Sequence, residues 1–566
     1  MSPGKRRSLR ARRWGVTASA VCAGLAVTTL VWSVGLALWS WLATAPSPAL
    51  GSWHRFHYSP WGTDSLGADT PKTIALTLSW LAAILLASVA ATWLIRRRGV
   101  LAWIPAAVLA VVALGVMYIK SNGLSDFVTW MQAQPRTAQL PATLAAWRLA
   151  EVAIVALLIG CPAVVHLSRR WWRSRAVIGV VIGLVLAAST TGAAWYAGRD
   201  ARFVDASSTS APVPELPTPR TLGTKHFTVQ IASASEHNAW YVEPIVGGFV
   251  TLGDGRVTAF DGKGNERWHY RRSGPAASQV TSLHVFDDGR TLVIGVGPGP
   301  AVLIGLDAGS GTQLWWSSDP ALLRTQQPTA RRATSPRPYL LDYDAKTHSW
   351  SRFDTRTGAL MWSKPAPDPQ CTKRFDAVDA PAQSLSWCGS GLTFTTIDPL
   401  TGETAWSITI PTKRPVTDAG IAHAGDGGAV LTMSLGADQV TSTHIDLATR
   451  TASPMPHATM PIDSIDRSAD FLAEVDNRLS LRAADGHERC AFSDGPPLAG
   501  SDGRALVLDA EVVLAAPPGL RVFNPTTCAP LGSNTLPSIP QALVAAPGVV
   551  LVLRADASGT WLDGYA

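Results

Sequence analysis

Five apolar runs fill the first third of the chain: Thr17 to Trp39, Thr73 to Ile95, Val100 to Ile119, Leu149 to Leu167 and Ala176 to Ala197. About 20 residues of helix cross roughly 30 Å of hydrocarbon, so this pattern predicts five transmembrane helices. Beyond Gly198 the long runs stop. Residues 198–225 are rich in Pro, Ser and Thr, a composition that builds no core and favours an extended, polyproline-like spacer. From His226 to Ala566 short apolar strands alternate with turns, the rhythm of an all-β domain. The expected organisation is therefore a basic N-terminus (1–16), a helical membrane domain (17–197), a linker (198–225) and a β-domain (226–566).

Charge fixes the expected orientation. Residues 1–219 hold 20 Lys and Arg against 7 Asp and Glu, or +13, and the remainder holds 28 against 34, or −6, which restores the overall +7. The basic residues fall in three clusters: Lys5 to Arg13 before the first run, Arg96 to Arg98 between the second and third, and Arg169 to Arg175 between the fourth and fifth. The alternate loops carry only Arg55, Lys72, Lys120 and Arg136. Lys and Arg beside membrane helices stay in the cytoplasm, so the N-terminus is expected inside and the β-domain outside. Clusters confined to membrane boundaries, beside a mildly acidic β-domain, argue against nucleic-acid binding. Trp39, Trp41, Trp93, Trp147, Trp171, Trp172 and Trp195 lie near predicted helix ends, where indoles suit the headgroup zone.

Ala43-Thr44-Ala45 offers a small-x-small cleavage site, but the apolar run before it is longer than a signal h-region and Pro46 follows, which favours an uncleaved helix. Arg148 and Glu151, three apart near one helix end, read as an interfacial ion pair. A transport pathway would place polar groups at several depths on several helices. Cys22 and Cys161 read as small apolar fillers.

The β-domain repeats itself. Asp261, Gly264 and Trp268; Asp307, Gly311 and Trp315; Asp354, Gly358 and Trp362; and Asp398, Gly402 and Trp406 each follow a short apolar strand, with Trp four residues after Gly. The Asp carboxylate can accept backbone N–H groups of its turn, Gly takes the positive φ that ends it, and the next strand carries the Trp. Three weaker copies put Arg450 in the Gly slot after Asp446, Gly486 before Cys490 in the Trp slot, and Cys528 in the Gly slot after Asn524. These motifs resemble the tryptophan-docking repeat of the pyrroloquinoline-quinone-like β-propeller family. The resemblance covers about the last 340 residues. Six intervals between Asp261 and Asn524 average about 44 residues, so 341 residues hold close to eight blades. The strand His226 to Ile231 is expected to complete the last sheet and leave no open edge.

The resemblance implies two functional classes. Quinoprotein dehydrogenases of this family oxidise sugars or alcohols with the quinone and calcium, and the membrane-bound glucose dehydrogenases also place five helices before an outward-facing propeller. The quinone carries three carboxylates and calcium takes hard oxygen ligands. Here the compact domain leaves little room for substrate-shaping loops and no adjacent Cys-Cys pair occurs. Asp342, Asp344, Asp376 and Asp379 are candidate carboxylates with nothing in the sequence to converge them. No catalytic, cofactor-binding or metal-binding residue is expected, and no cofactor. The second class, favoured here, is a non-catalytic interaction scaffold in a bacterial cell envelope, similar to the propeller lipoprotein of the outer-membrane assembly machinery. Envelope or membrane proteins are its expected partners; a sensor or transport accessory role is a third alternative.

Four cysteines lie in the expected outer domain, where thiols oxidise. Cys490 and Cys528 occupy slots that touch across neighbouring blades, so a disulfide between them would replace the ring-on-turn contact. That leaves Cys371 and Cys388 as a hairpin staple. Four buried free thiols are the alternative.

Overall fold

In the N-terminal part, the structure (a computed structural model) describes residues 3–43, 70–95, 104, 107–118, 139–164 and 170–197; from 204 to 566 it describes all but 234–240, 273–279, 297–301, 318, 326–338, 345–346, 366–370, 377–381, 389–390, 425–426, 437–439, 456–459, 463–469, 476–477, 493–503 and 539. Two units result, Met1–Phe203 and Val204–Ala566.

The apolar runs form helices Pro3–Ala43, Thr70–Ile95, Gln139–Val164 and Arg170–Ala197, with a shorter one over Ala107–Tyr118. Three stretches, Thr17–Leu42, Pro141–Gly160 and Ser174–Ala197, are long and apolar enough to cross a membrane, whereas Lys72–Ser88 and Ala107–Tyr118 are shorter among the described residues. The five expected spans are thus met by three of full length. The fourth run begins earlier than its hydropathy suggested, because Arg148 and Glu151 pair within the helix at 2.8 Å and do not end it. Trp147 is buried, and its Nε1 donates to Glu151 Oε1. Trp39 and Trp195 are exposed.

Small residues let the helix backbones touch. A Cβ on Gly179 would lie 1.9 Å from the Val21 carbonyl oxygen, and one on Gly24 would lie 2.0 Å from that of Ala176. Small residues at such crossings allow close van der Waals packing of the two backbones. Trp32 Nε1 donates to Thr191 Oγ1, and Ser40 and Thr143 share a buried hydroxyl hydrogen bond. Cys22 packs partly buried against this core; the side chains of Cys161 and of the clustered cations other than Arg175 lie outside those described.

The second unit is an eight-bladed propeller of eight antiparallel sheets. Blade 1 holds Tyr241–Ile245, Gly248–Gly253, Arg256–Asp261 and Glu266–Arg272, with Val204–Ser207 added outside as a fifth strand. Blades 2 to 7 follow in chain order, and blade 3 shows three strands among the described residues. Central strands such as Gly248–Gly253 and Thr291–Val296 are buried at every position, because neighbouring blades cover both faces. Outer strands such as Thr404–Pro411 alternate between exposed and half-buried. Blade 8 contains Pro540–Ala546, Val549–Asp556 and Gly559–Tyr565, and Lys225–Ser233 is its outer strand. An N-terminal strand paired with the C-terminal hairpin closes the ring and removes an edge.

The Pro-rich segment is not a free spacer over most of its length. Val204–Ser207 pairs with the outer strand of blade 1, and Leu222 is buried in the core of blades 7 and 8. Its composition forbids a core of its own, but the unpaired backbone groups of an extended chain can bond to the turns of another.

Candidate functional site

Each repeat builds one turn on one face of its blade. In blade 2 the Asp307 carboxylate accepts the Ser310 N–H at 3.0 Å, and Gly311 N–H donates to the Asp307 carbonyl at 2.8 Å. Asp354 with Gly358 and Asp398 with Gly402 repeat this, the Gly donating at 2.8 Å in both, and all three glycines have φ between +68 and +75°. Blade 1 is one residue tighter, so Gly264 N–H reaches Asp261 O while Asp261 Oδ1 accepts from Lys263 and Asn265. In the Gly slots of blades 5 and 7, Arg450 and Cys528 adopt φ of +59 and +54°, the left-handed region that normally selects glycine.

The ring of each blade then docks on the turn of the next. Trp268 lies over Gly311, Trp315 over Gly358 and Trp362 over Gly402; an added Cβ would meet the rings at 2.7 to 2.9 Å. Each indole Nε1 also donates to the carbonyl of the residue after Asp: Ala308 at 2.9 Å, Thr355 at 2.8 Å and Pro399 at 2.9 Å. Trp268 and Trp315 are buried, whereas Trp362 and Trp406 are half-buried, less enclosed than full docking would require. Trp406 packs against the cluster that includes Ile445 and Leu447.

Where Trp is missing, other groups fill the slot. Phe227 of the closing strand lies over Gly264, four residues after Gly223, whose φ of +69° preserves the Gly slot across the chain break of blade 8. In blade 5 Pro454 stands where Trp would, and His444, two residues before Asp446, reaches over Gly486 of blade 6 and stacks on Phe471. Between blades 6 and 7, Cys490 and Cys528 are joined by a disulfide with Cα atoms 5.7 Å apart. Cys490 Sγ lies 3.8 Å from the Pro525 carbonyl, the counterpart of the indole acceptors. Cys371 is also disulfide-bonded, and the pairing of Thr372 with Trp387 puts position 388 beside it; the Cys388 side chain is outside those described.

The segment from Thr209 to Leu222 crosses the same face as these turns, from blade 2 over blades 1 and 8 to blade 7. Thr209 N–H donates to Ser310 O, Gly548 N–H to Pro217 O at 2.9 Å, Ala510 N–H to Arg220 O at 3.1 Å, and Leu222 N–H to Glu511 Oε2 at 2.8 Å. Arg267 Nη2 donates to Ala211 O at 3.2 Å.

A family model described as "Outer membrane protein assembly factor BamB" matches residues 246–440. No curated protein matches the sequence. Among solved structures, BamB from Moraxella catarrhalis is 14% identical over 61% of this chain and 98% of its own, with a TM-score of 0.38. Sqt1 from Saccharomyces cerevisiae is 12% identical over 61% and 99%, with a TM-score of 0.35. A quinohemoprotein alcohol dehydrogenase from Pseudomonas putida HK5 is 12% identical over 60% and 76%, with a TM-score of 0.35. The docking repeats and the matching family model together decide the class. The C-terminal unit is a pyrroloquinoline-quinone-like propeller.

A quinone or calcium site in such a propeller needs several convergent charged groups. Asp342 and Asp344 of blade 3 instead share Arg324, whose Nη2 lies 2.7 Å from Asp342 Oδ2 and 3.3 Å from Asp344 Oδ2. Burial pushes the Asp342 carboxyl up despite Arg324. The Asp376 side chain and Asp379 lie outside the described residues. Among the described residues no three His, Cys, Asp or Glu side chains gather as a metal site. The pyrroloquinoline-quinone-like propeller places a fully buried charge elsewhere, at the seam of blade 8. There Asp563 is fully buried and bound by Arg554 Nε at 2.8 Å, Lys225 Nζ at 2.9 Å and Thr228 Oγ1 at 2.7 Å. Burial pushes its carboxyl up, and these hydrogen bonds outweigh burial and hold it below the ordinary carboxylate value. Sequence reasoning missed Asp563, His444 and Phe227, because none stands in the Asp, Gly or Trp slot of an unbroken repeat.

Proposed function

We propose that the chain is a multi-pass membrane protein, N-terminus inside, whose propeller stands outside and docks other envelope proteins without catalysing a reaction. The observation that carries this reading is a set of exposed large apolar side chains on the outer strands and turns of blades 2 to 4. Trp316 is 60% exposed, Leu360 56%, Met361 45% and Leu400 70%. Each stands beside a docking element: Trp316 follows the docking Trp315, Leu360 and Met361 precede the docking Trp362, and Leu400 sits in the turn that receives it. Exposed large apolar side chains that gather on one surface mark protein contact sites. The alternating basic clusters support five crossings and the outside placement, and the matching family model bears the name of an assembly factor.

The test is photo-crosslinking in intact cells from positions 316 and 400, compared with Trp316→Ser and Leu400→Ser chains. Discrete adducts with envelope proteins, lost in the variants, support docking. A large rise in melting temperature on adding quinone with calcium, with no adducts, would favour an oxidoreductase instead.

A further inference from the structure

The contacts between the propeller and residues 209–222 have the form of a peptide in a groove. The segment carries Pro212, Pro214, Pro217 and Pro219, and most of it is exposed at the surface. Its two large apolar side chains before Leu222 are Val213, 36% exposed, and Leu216, 39% exposed, three residues apart. A polyproline helix has three residues per turn, so side chains at this spacing project from one side.

That side meets four glycines. A Cβ on Gly247 would lie 2.6 Å from Val213 Cγ1 and one on Gly309 2.7 Å from Val213 Cγ2; one on Gly262 would lie 3.0 Å, and one on Gly548 2.8 Å, from Leu216 Cδ1. Every one of these glycines lies in a turn of blade 1, 2 or 8, so the missing side chains leave two shallow recesses at the polyproline repeat. Main-chain bonds flank the recesses: Arg267 donates to the carbonyl before the first, and Gly548 N–H to the carbonyl of Pro217 just after the second. Beyond them Arg220 pairs with Asp509 at 3.2 Å. Polyproline segments are recognised in this way elsewhere, because a conformation already extended loses little entropy on docking.

We propose that this face of blades 7, 8, 1 and 2 is a binding site for extended, proline-rich peptides with apolar residues three apart and a basic residue four beyond, and that residues 209–222 occupy it in cis. The inference rests on the reading of the propeller as a protein-docking module, but it names a face separate from the rim of blades 2 to 4. The segment excludes a partner peptide while latched, and an unlatched segment exposes the groove.

The experiment uses the full chain in nanodiscs and a fluorescent peptide of residues 207–222. Val213→Asp with Leu216→Asp unlatches the segment. Anisotropy should show at least about tenfold tighter peptide binding to this variant than to the parent. Adding Gly309→Ala fills the Val213 recess at a position without positive φ, and should remove that gain. No binding to a variant that melts like the parent overturns the proposal, as does equal binding of a peptide carrying both Asp substitutions. Should the double variant not fold, hydrogen exchange on the parent decides. A large excess of peptide should speed exchange at Thr209 and Leu222 but not in the blade strands, and an unchanged rate overturns the proposal. Rim crosslinks from positions 316 and 400 report separately, so loss of one result leaves the other legible.

Discussion

At the scale of single residues, the ring is held by a side chain placed over a glycine of the next blade, and burial decides how much each such contact is worth. Trp268 is fully buried and hydrogen-bonded, whereas Trp362 is half-buried. Trp268→Ala should therefore cost about 3 to 5 kcal/mol, the usual range for deleting a large buried ring, and Trp362→Ala clearly less, as measured by thermal unfolding of each variant. His444 makes the slot sensitive to pH. Burial pushes its imidazole down, against the opposing effect of Asp446 and Asp485. A folded value below the unfolded one, about 6.5, means the contribution is whole above that pH and is lost as pH falls through it. His444→Phe should flatten that part of the stability profile, and an unchanged profile would assign the titration elsewhere. The Asp, Gly and Trp slots were legible in the sequence because one residue type recurs at one spacing. His444 was not, because the replacement comes from the neighbouring strand, two residues before Asp446. Only Pro454 in the Trp slot signalled that something else had to fill the space.

At the scale of elements, two features of the sequence had opposite fates. The repeat phase puts Cys490 in a Trp slot and Cys528 in the facing Gly slot, and a fixed phase is enough to bring their Cα atoms within reach. If the bond stands in for docking, Cys490→Trp combined with Cys528→Gly should melt close to the oxidised parent under reducing conditions, while the reduced parent melts lower. A double variant no more stable than the reduced parent would show that the slot no longer accepts a ring. The Pro-rich segment could not be read the same way. An extended chain leaves its N–H and C=O groups free, and composition does not say whether water or the turns of Ala510 and Gly548 will satisfy them. Helix ends were blurred for a related reason: Arg148 and Glu151 lower local hydropathy, yet paired on one face they leave the helix Gln139–Val164 intact.

At the scale of the whole molecule, eight blades form a closed ring only if the two ends of the β-domain meet, and the seam of blade 8 is where opening is cheapest, since no covalent turn joins its outer strand. Two backbone hydrogen bonds between Thr224 and Ala566, at 3.1 and 3.0 Å, stand where the other blades have a turn. Asp563 supplies what the turn lacks. Its carboxylate takes Lys225 and Thr228 from the N-terminal strand and Arg554 from the C-terminal hairpin, so one buried anion ties both ends. Arg554 is itself buried and would keep only Asp556, 3.3 Å from its Nη1, so removing the anion costs up to about 3 to 5 kcal/mol, the range for a buried cation left unpaired. Asp563→Asn should thus destabilise the ring by roughly that amount at neutral pH, with the loss concentrated in blade 8 and visible as faster amide exchange in Lys225–Ser233 than in blade 2. The pH dependence has a definite sign. The folded carboxyl titrates below its unfolded value of about 3.9, so its contribution is complete above that pH and disappears as acid protonates it in the folded state. Acidification should therefore loosen blade 8 in the parent, and the Asn variant should lack this acid-dependent step. Uniform exchange across all eight blades in both proteins would show instead that the seam is no weaker than the turns.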